Sequence, residues 1–208
     1  MDTCISEHDS CATIQSEFTG GGNFYNFFRQ SQKKKTSKIC TQSSNCFQNH
    51  TILNVGRGQL FSAKLSCCSG DTCKRTAFPL PLVNVTPNGK RCNACYSYRH
   101  PILACWWKRT AQCAGDENYC IELYGRGVYP SPGTVRYPTH SFRSRWLTIK
   151  GCVNKAYCDA FHAGPVHVAT LTVIGTGSCK LASKAVSTSA RSLGGLLLTG
   201  FLLVKVVA

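Results

Sequence analysis

The sequence predicts a small, all-β, disulfide-rich protein, and three observations support this fold class. Cysteine accounts for 15 of the 208 residues, close to the proportion typical of disulfide scaffolds. Short runs of β-branched and aromatic residues alternate with breaks rich in Gly, Pro and Asn. Long helical periodicity is absent before the C-terminus. Because disulfides replace the stability that a small core lacks, the composition indicates an oxidising compartment, either secreted or at the cell surface.

The chain is organised around the stretch from Cys67 to Cys73. Two adjacent cysteines do not easily bond to each other, because a disulfide needs suitably separated Cα atoms and suitably aimed Cβ atoms. Cys68 therefore has a near partner in Cys73, across a short loop that turns at Gly70, while Cys67 reaches back along the chain. The alternative is a zinc site, which needs a second pair of ligands and a reducing compartment. The cysteine content argues against zinc.

Strand-like runs occur in both halves of the chain. The Gly56-Arg57-Gly58 break is a hairpin signal, and the run Val166 to Ile174 is the strongest strand prediction because of its β-branched residues. Lys33 to Lys38 is interpreted as an exposed finger tip or loop. We predict strands over residues 11–17, 52–55, 59–66, 119–124, 145–150 and 166–174.

The formal net charge of +15 predicts a basic surface or an acidic partner, such as a sulfated glycan, an anionic lipid or an acidic protein. The chain contains no helix-turn-helix, zinc-finger or RNA-recognition pattern, so nucleic acid is not a predicted partner.

Two N-glycosylation sequons, at Asn49 and Asn84, fit an exported protein. Pro87 follows the second sequon and is expected to lower its use. Residues 1–30 contain no signal peptide, which conflicts with export.

The C-terminal region changes from small polar residues over 181–192 to an apolar tail over 193–208 that is interrupted by Lys205. The tail is short for a membrane-spanning helix, and the pattern is typical of a GPI-attachment signal. Ser183, Ser187 and Ser189 are the candidate attachment residues.

No catalytic, metal or cofactor site is predicted. The six histidines lie in no metal-binding spacing, and no Gly-x-Ser-x-Gly elbow is present. Asp116 and Glu117 are either an acid pair or a solvent-facing turn between Cys113 and Cys120, and the turn is favoured. The protein is therefore predicted not to be an enzyme.

Three segments carry a resemblance to a known family: the Asp71-Thr72-Cys73 run after the vicinal pair, the Cys92-x-x-Cys95 opener, and Cys-Ala-Gly-Asp-Glu-Asn-Tyr-Cys at 113–120. They resemble the urokinase-receptor/Ly-6 family, and more closely its two-domain branch with the gamma-type phospholipase A2 inhibitors. The resemblance implies two tandem three-finger domains, the first without its first finger. The implied boundaries are an incomplete domain at 1–78, a linker at 79–89, a second domain at 90–180 and a spacer with an apolar tail at 181–208.

The family's disulfide order implies a pairing for all but one cysteine. Cys11 is left unpaired in this order, because the first three cysteines of the first domain are missing. We therefore interpret Met1 as an internal or mispredicted start, so that the full product carries a leader and about 20 further residues. The implied pairs are Cys4–Cys40, Cys46–Cys67, Cys68–Cys73, Cys92–Cys120, Cys95–Cys105, Cys113–Cys152 and Cys158–Cys179.

The resemblance implies a non-enzymatic binding module that engages an extracellular protein through finger tips and a sheet face. A cell-surface receptor held by a C-terminal lipid anchor is the first hypothesis, and a soluble inhibitor of secreted phospholipase A2 is the alternative. A metal-dependent or nucleic-acid-binding protein is a third, disfavoured by the sequons and the disulfide order. Trp106, Trp107 and the segment Arg136 to Arg145 are the expected exposed residues of the second domain.

Overall fold

The computed structural model describes residues 9–20, 34–42, 50–68, 79–97, 105, 109–128, 145–168 and 171–184. Within these residues the chain forms twelve strands and one short helix, which confirms the all-β, disulfide-rich fold class and is consistent with three-finger architecture. The helix is α1 (Lys155–Ala163). The strands are β1 (Asp9–Thr19), β2 (Lys34–Gln42), β3 (Thr51–Gly56), β4 (Gln59–Cys68), β5 (Pro87–Asn93), β6 (Cys95–Ser97), β7 (Thr110–Ala114), β8 (Tyr119–Val128), β9 (Arg145–Val153), β10 (Val166–Val168), β11 (Leu171–Leu181) and β12 (Ser183–Lys184).

One antiparallel sheet runs through both halves of the chain. Its order is β10-β11-β8-β9-β3-β4-β1-β2, and β6 also pairs with β9. We call the described residues up to 68 the first unit and residues 87–184 the second unit. The two units join where β3 pairs with β9, at Leu53–Val153 and Asn54–Cys152. A second sheet, in the order β12-β5-β7, belongs to the second unit.

The hairpin predicted around Gly56-Arg57-Gly58 is confirmed. β3 and β4 pair antiparallel, with Gly56 opposite Gln59. Arg57 and Gly58 have φ values of 57° and 69°, as a two-residue type I′ turn requires. Glycine adopts this conformation at low cost, so the sequence encodes the turn directly.

The prediction of one strand from Val166 to Ile174 is wrong. The chain folds back within this run, so that β10 pairs antiparallel with β11 and Val168 lies opposite Leu171. Val166, Val168, Leu171 and Val173 are all buried. In a continuous strand, Val166 and Val168 would lie on the opposite face from Leu171 and Val173, so the turn is what buries all four on one face. The β-branched residues on which the strand prediction rests occur in both arms and do not reveal the turn.

The interpretation of Lys33 to Lys38 as a finger tip or loop is also wrong for residues 34–38, which begin β2. Lys34, Thr36 and Lys38 are exposed on this strand. Glu17 on the neighbouring β1 lies opposite Lys34, and the ion pair between them spans 3.8 Å. A solvated, charged strand face therefore explains the lysine run as well as a loop does.

Helix α1 was not predicted from the sequence. Asn154 caps its N-terminus, since the Oδ1 atom of Asn154 accepts a hydrogen bond from the backbone amide of Tyr157. Gly164 follows its last residue. The helix has only nine residues, too few for a clear helical period, although the Asn and Gly that flank it are ordinary boundary signals.

The main core is shared by the two units. Leu53, Val55 and Phe61 of the first unit pack in one cluster with apolar side chains of β8, β9, α1, β10 and β11. The ring of Phe61 stacks on Tyr96 of the second unit at a centroid distance of 6.1 Å. Because the core crosses the junction, burial of apolar surface holds the two units together.

No helix among the described residues is long and apolar enough to cross a membrane.

Candidate binding face

The disulfides form the frame of the second unit. The structure contains Cys92–Cys120, Cys95–Cys105, Cys113–Cys152 and Cys158–Cys179, the four pairs that the family order implies there. Cys113 and Cys152 have no exposed surface, and Cys152 lies at the junction, opposite Asn54.

The first unit is described less completely. Cys67 and Cys68 are disulfide-bonded, whereas Cys4, Cys46 and Cys73 lie outside the described residues. Cys40 lies in β2 opposite Cys11, and Cys68 also lies opposite Cys11, on the other side of β1. The backbone register therefore brings these three cysteines to neighbouring positions near the end of the first unit.

The sulfur atoms of Cys92, Cys113 and Cys152 lie within 4.8 Å of one another, a spacing that could hold a metal ion. All three belong to disulfides. A disulfide sulfur is not the thiolate that binds metals, so this cluster is a stack of bridges and carries no metal chemistry.

The burial of Glu117 corrects the interpretation of Asp116-Glu117 as a solvent-facing turn. Asp116 is exposed, but Glu117 is only 1% exposed. Its Oε2 atom accepts hydrogen bonds from the backbone amide of Ala114 at 2.9 Å and from Nδ2 of Asn54 at 3.0 Å. Burial raises the pKa of Glu117, and these hydrogen bonds oppose the shift. The carboxyl group is therefore a structural link between the units and not a surface acid.

A second polar link at the junction is made by Asn154. Its Oδ1 atom accepts a hydrogen bond from the backbone amide of Ile52 at 3.1 Å, and its Nδ2 atom donates to the carbonyl of His50 at 2.7 Å. The same side chain caps α1. Buried polar groups need such partners, so the two asparagines fix how the units meet.

A narrow groove lies on the inner side of this junction. It is lined by Ile14, Ala63 and Leu65 of the first unit and by Tyr157, Val166 and His167 of the second. Its interior has space for one water molecule at most. A pocket for a small organic substrate would be several hundred Å3 in volume, so the groove is a packing gap.

The opposite, outer side of the large sheet carries exposed apolar and basic side chains. Ile174, Arg126 and Trp146 lie side by side across β11, β8 and β9, and we call these three residues the basic-aromatic row. Ile174 is 41% exposed and Trp146 is 45% exposed. The Arg126 guanidinium lies 4.7 Å from the centre of the Trp146 ring, in cation–π contact.

Tyr124 and Lys150 continue this surface next to the row. Lys150 Nζ lies 5.4 Å from the centre of the Tyr124 ring and forms an ion pair of 3.2 Å with Glu122. The Lys150 side chain is thus held flat on the sheet by two neighbours. Together with the row, it forms a patch of aromatic, aliphatic and cationic groups on the sheet.

Three acidic side chains of the described surface are paired with lysine, whereas Asp116 is exposed. Glu17, Glu122 and Asp159 form ion pairs with Lys34, Lys150 and Lys155, and Glu117 is buried. Over the whole sequence, lysine and arginine outnumber acidic residues 24 to 9, which gives a formal net charge of +15. Such a charge attracts acidic partners and speeds their association.

The predicted exposed residues of the second domain mostly fall outside the described residues. This applies to Trp106, Trp107 and residues 136–144, whereas Arg145 is the first residue of β9. Of the two glycosylation candidates, Asn49 lies outside the described residues and Asn84 is exposed. Of the three GPI-attachment candidates, Ser183 lies in β12, and Ser187 and Ser189 lie outside the described residues. The basic-aromatic row was missed; alternation along the predicted strand 145–150 places Trp146 on the same face as Thr148 and Lys150, but it does not connect Trp146 with Arg126 or Ile174.

No family model matches the chain, but curated proteins are similar to it. It is 24% identical over 160 residues to a gamma-type phospholipase A2 inhibitor of Laticauda semifasciata, and the match covers 76% of each chain. It is 25% identical over 162 residues to phospholipase A2 inhibitor NAI of Notechis ater, covering 76% of this chain and 68% of the relative. It is 26% identical over 155 residues to a gamma-type phospholipase A2 inhibitor of Elaphe climacophora, covering 74% of this chain and 65% of the relative.

Proposed function

We propose that the protein is a non-enzymatic, extracellular binding protein of the urokinase-receptor/Ly-6 type, and that its partner is a secreted phospholipase A2. The similarity to several phospholipase A2 inhibitors over about three quarters of the chain carries this proposal. The disulfide frame of the second unit agrees with an oxidising, extracellular environment. The comparisons thus favour the inhibitor hypothesis over the receptor hypothesis.

The basic-aromatic row is the proposed contact surface for this partner. Tryptophan and arginine are the residues most enriched among those that dominate binding energy in protein–protein interfaces. Arg126 and Trp146 stack on each other with their neighbour Ile174 exposed, so the row presents a preformed surface. A flat sheet face suits a folded protein, whereas small ligands bind in concave pockets.

Membrane attachment through the C-terminal tail belongs to the receptor hypothesis, which is the second candidate. The apolar residues 193–208 support an anchored form. Ser183 pairs with Arg91 through β12, and cleavage directly after Ser183 would remove Lys184 from that strand. Attachment at Ser187 or Ser189 leaves the strand intact and is therefore favoured. Release of the surface protein by a phosphatidylinositol-specific phospholipase C tests the anchor.

The experiment for the proposed partner uses the full chain, secreted from eukaryotic cells behind a supplied leader. Binding to a panel of acidic and basic secreted phospholipases A2 is measured by surface plasmon resonance, and inhibition is measured on phospholipid vesicles. We expect submicromolar binding to at least one enzyme. Absence of binding across the panel overturns the partner.

The contact surface is tested with Trp146→Ala and Arg126→Ala. Each is expected to weaken binding about tenfold or more, as is usual for central interface residues. Lys155→Ala, at the exposed start of α1, is the matched control and is expected to keep wild-type affinity. Wild-type affinity in both row variants would move the contact surface elsewhere without removing the partner.

A further inference from the structure

The segment between the two units combines a sequon with exposed apolar side chains. Residues 79–86 run without regular secondary structure to the start of β5. Leu82 is 100% exposed and Val85 is 72% exposed, so two large aliphatic side chains three positions apart face solvent. Asn84 lies between them, is itself exposed, and begins the sequon Asn84-Val85-Thr86.

The backbone around Asn84 is fixed by hydrogen bonds. The amide of Thr86 donates to Oδ1 of Asn84 at 2.9 Å, and the carbonyl of Thr86 accepts from the amide of Gly115 at 2.9 Å. Gly115 is needed there, because a Cβ atom at this position would lie 2.8 Å from the carbonyl oxygen of Asn84. The sequon is therefore held against the turn before β8, with its asparagine facing solvent.

The hydrogen bond to Oδ1 leaves the other end of the Asn84 amide available. Among the described residues, Nδ2 of Asn84 has no hydrogen-bond partner, and the side chain is exposed. N-linked glycosylation modifies this nitrogen. A sugar attached at this atom would extend into solvent from the surface of the junction and would not disturb the core.

We propose that Asn84 carries an N-linked glycan that covers Leu82 and Val85. In the transfer, Nδ2 of Asn84 bonds to C1 of an oligosaccharide donated by a polyprenyl diphosphate, while the bond from C1 to the diphosphate oxygen breaks. The lipid diphosphate leaves with the bonding electrons, and the amide loses one proton. This inference rests on the export that the proposed function includes.

Pro87 does not disturb the arrangement that the sequon adopts. The hydrogen bond that fixes the sequon is donated by the amide of Thr86, one residue before the proline. Pro87 has no amide to donate and is the exposed first residue of β5, a position where proline is well tolerated in a sheet. We therefore expect full use of Asn84, in place of the reduced use that the sequence suggests.

The test uses the full chain with a supplied leader, secreted from eukaryotic cells, in an Asn49→Gln background so that only Asn84 contributes. Thr86→Ser retains the sequon and Thr86→Ala removes it, and the two variants differ little in size. Peptide mapping after enzymatic deglycosylation is expected to show conversion of Asn84 to aspartate in Thr86→Ser only. Unmodified Asn84 in secreted Thr86→Ser overturns the proposal.

Dye binding tests separately whether the glycan covers Leu82 and Val85. Thr86→Ala is expected to bind severalfold more of a hydrophobic fluorescent dye than Thr86→Ser, and adding Leu82→Ser and Val85→Ser to Thr86→Ala is expected to abolish the difference. Equal dye binding by Thr86→Ala and Thr86→Ser overturns the covering role. Phospholipase binding is assayed separately on Thr86→Ser, so a failure of the proposed function does not change the peptide map.

Discussion

Nδ2 of Asn54 donates a hydrogen bond of 3.0 Å to Oε2 of Glu117, across the junction between the first and second units. The same nitrogen lies 3.1 Å from the backbone carbonyl of Gln112 in β7. Glu117 is almost fully buried, and its Oε1 atom has no hydrogen-bond partner among the described groups. One side-chain amide of the first unit thus holds both a buried carboxyl group and the backbone of the second unit.

Replacing Asn54 by alanine is expected to destabilise the whole protein. The variant leaves the buried carboxyl group of Glu117 with the Ala114 amide as its remaining described donor. Loss of a partner by a buried polar group costs about 1–3 kcal/mol. The free energy of unfolding, measured by urea denaturation with disulfides intact, is expected to fall by this amount.

Asn118→Ala is the matched control for this experiment. Oδ1 of Asn118 accepts a hydrogen bond of 2.9 Å from Nζ of Lys90, within the second unit and partly in solvent. Partly exposed contacts of this kind contribute about 0–1 kcal/mol. Equal losses in Asn54→Ala and Asn118→Ala would show that the link across the junction has no special role in stability.

The buried carboxyl group of Glu117 is also expected to make the free energy of unfolding depend on pH. Burial raises the pKa of Glu117 in the folded protein above its ordinary value, so the folded state holds this proton more tightly than the unfolded state. The stabilising contribution is fully present below the unfolded pKa and is lost as pH rises through the folded pKa. Relative to Glu117→Gln, the wild-type protein is therefore expected to lose stability as pH increases from about 4 to 7.

The check is urea denaturation of the wild-type protein and Glu117→Gln over this pH range. The difference between their free energies of unfolding isolates Glu117, because the other titrating groups are common to both proteins. A difference that stays constant with pH would contradict a buried, titrating carboxyl group at this position.

The sequence predicts local features of this fold well, because they are encoded by neighbouring residues. The β3–β4 hairpin follows from Gly56-Arg57-Gly58, and the strands in β1, β8 and β9 follow from short apolar runs. The four cysteine pairs of the second unit could be anticipated only from the family order, because spacing alone permits many pairings.

Features that depend on distant residues could not be predicted in this way. Glu117 has the local sequence of a solvent-facing turn, and it is buried because Asn54 and the first unit pack on it from 63 positions away. The pairing of β3 with β9 rests on two residue pairs, too short a contact to leave a periodic pattern. The basic-aromatic row likewise exists only once β8, β9 and β11 are in register.

His167 is expected to give a pH dependence of the opposite sign. Burial lowers its pKa from 6.5 to about 4. At a pH between these two values, His167 therefore binds a proton in the unfolded chain but not in the folded protein. Its contribution is present above pH 6.5 and is lost as pH falls towards about 4. Because the side chain is only half-buried, we expect a loss of about 1–3 kcal/mol.

His167→Gln removes the titrating ring, so its free energy of unfolding relative to that of the wild-type protein, followed by urea denaturation, is expected to rise as pH falls from 6.5 to 4. The other titrating groups, Glu117 included, are common to both proteins. A wild-type slope in His167→Gln would mean that another group causes the acid instability.

The backbones of β9 and β3 approach so closely at Gly151 that there is no space for a side chain. A Cβ atom at this position of β9 would lie 2.2 Å from the carbonyl oxygen of Asn54 and 3.3 Å from Cα of Val55. Both are backbone atoms of β3, which cannot turn aside as a flexible side chain can. Gly151→Ala must therefore push β3 and β9 apart where the units pair.

We expect Gly151→Ala to lose about 3 kcal/mol, the upper end of the range typical of overpacking, because the atoms that the added Cβ meets are backbone atoms. Gly89→Ala is the matched control. Gly89 has a φ of +77° and no atom lies within 4 Å of the added Cβ, so this variant is expected to lose only about 1–2 kcal/mol of stability from backbone strain.

Calorimetry gives the melting temperatures, and limited proteolysis reports opening of the junction through cleavage within residues 79–86. Equal melting temperatures and cleavage rates in the two variants would show that the close approach at Gly151 does not hold the units together. A lower melting temperature with faster cleavage in Gly151→Ala would show that the β3–β9 pairing holds the two units together.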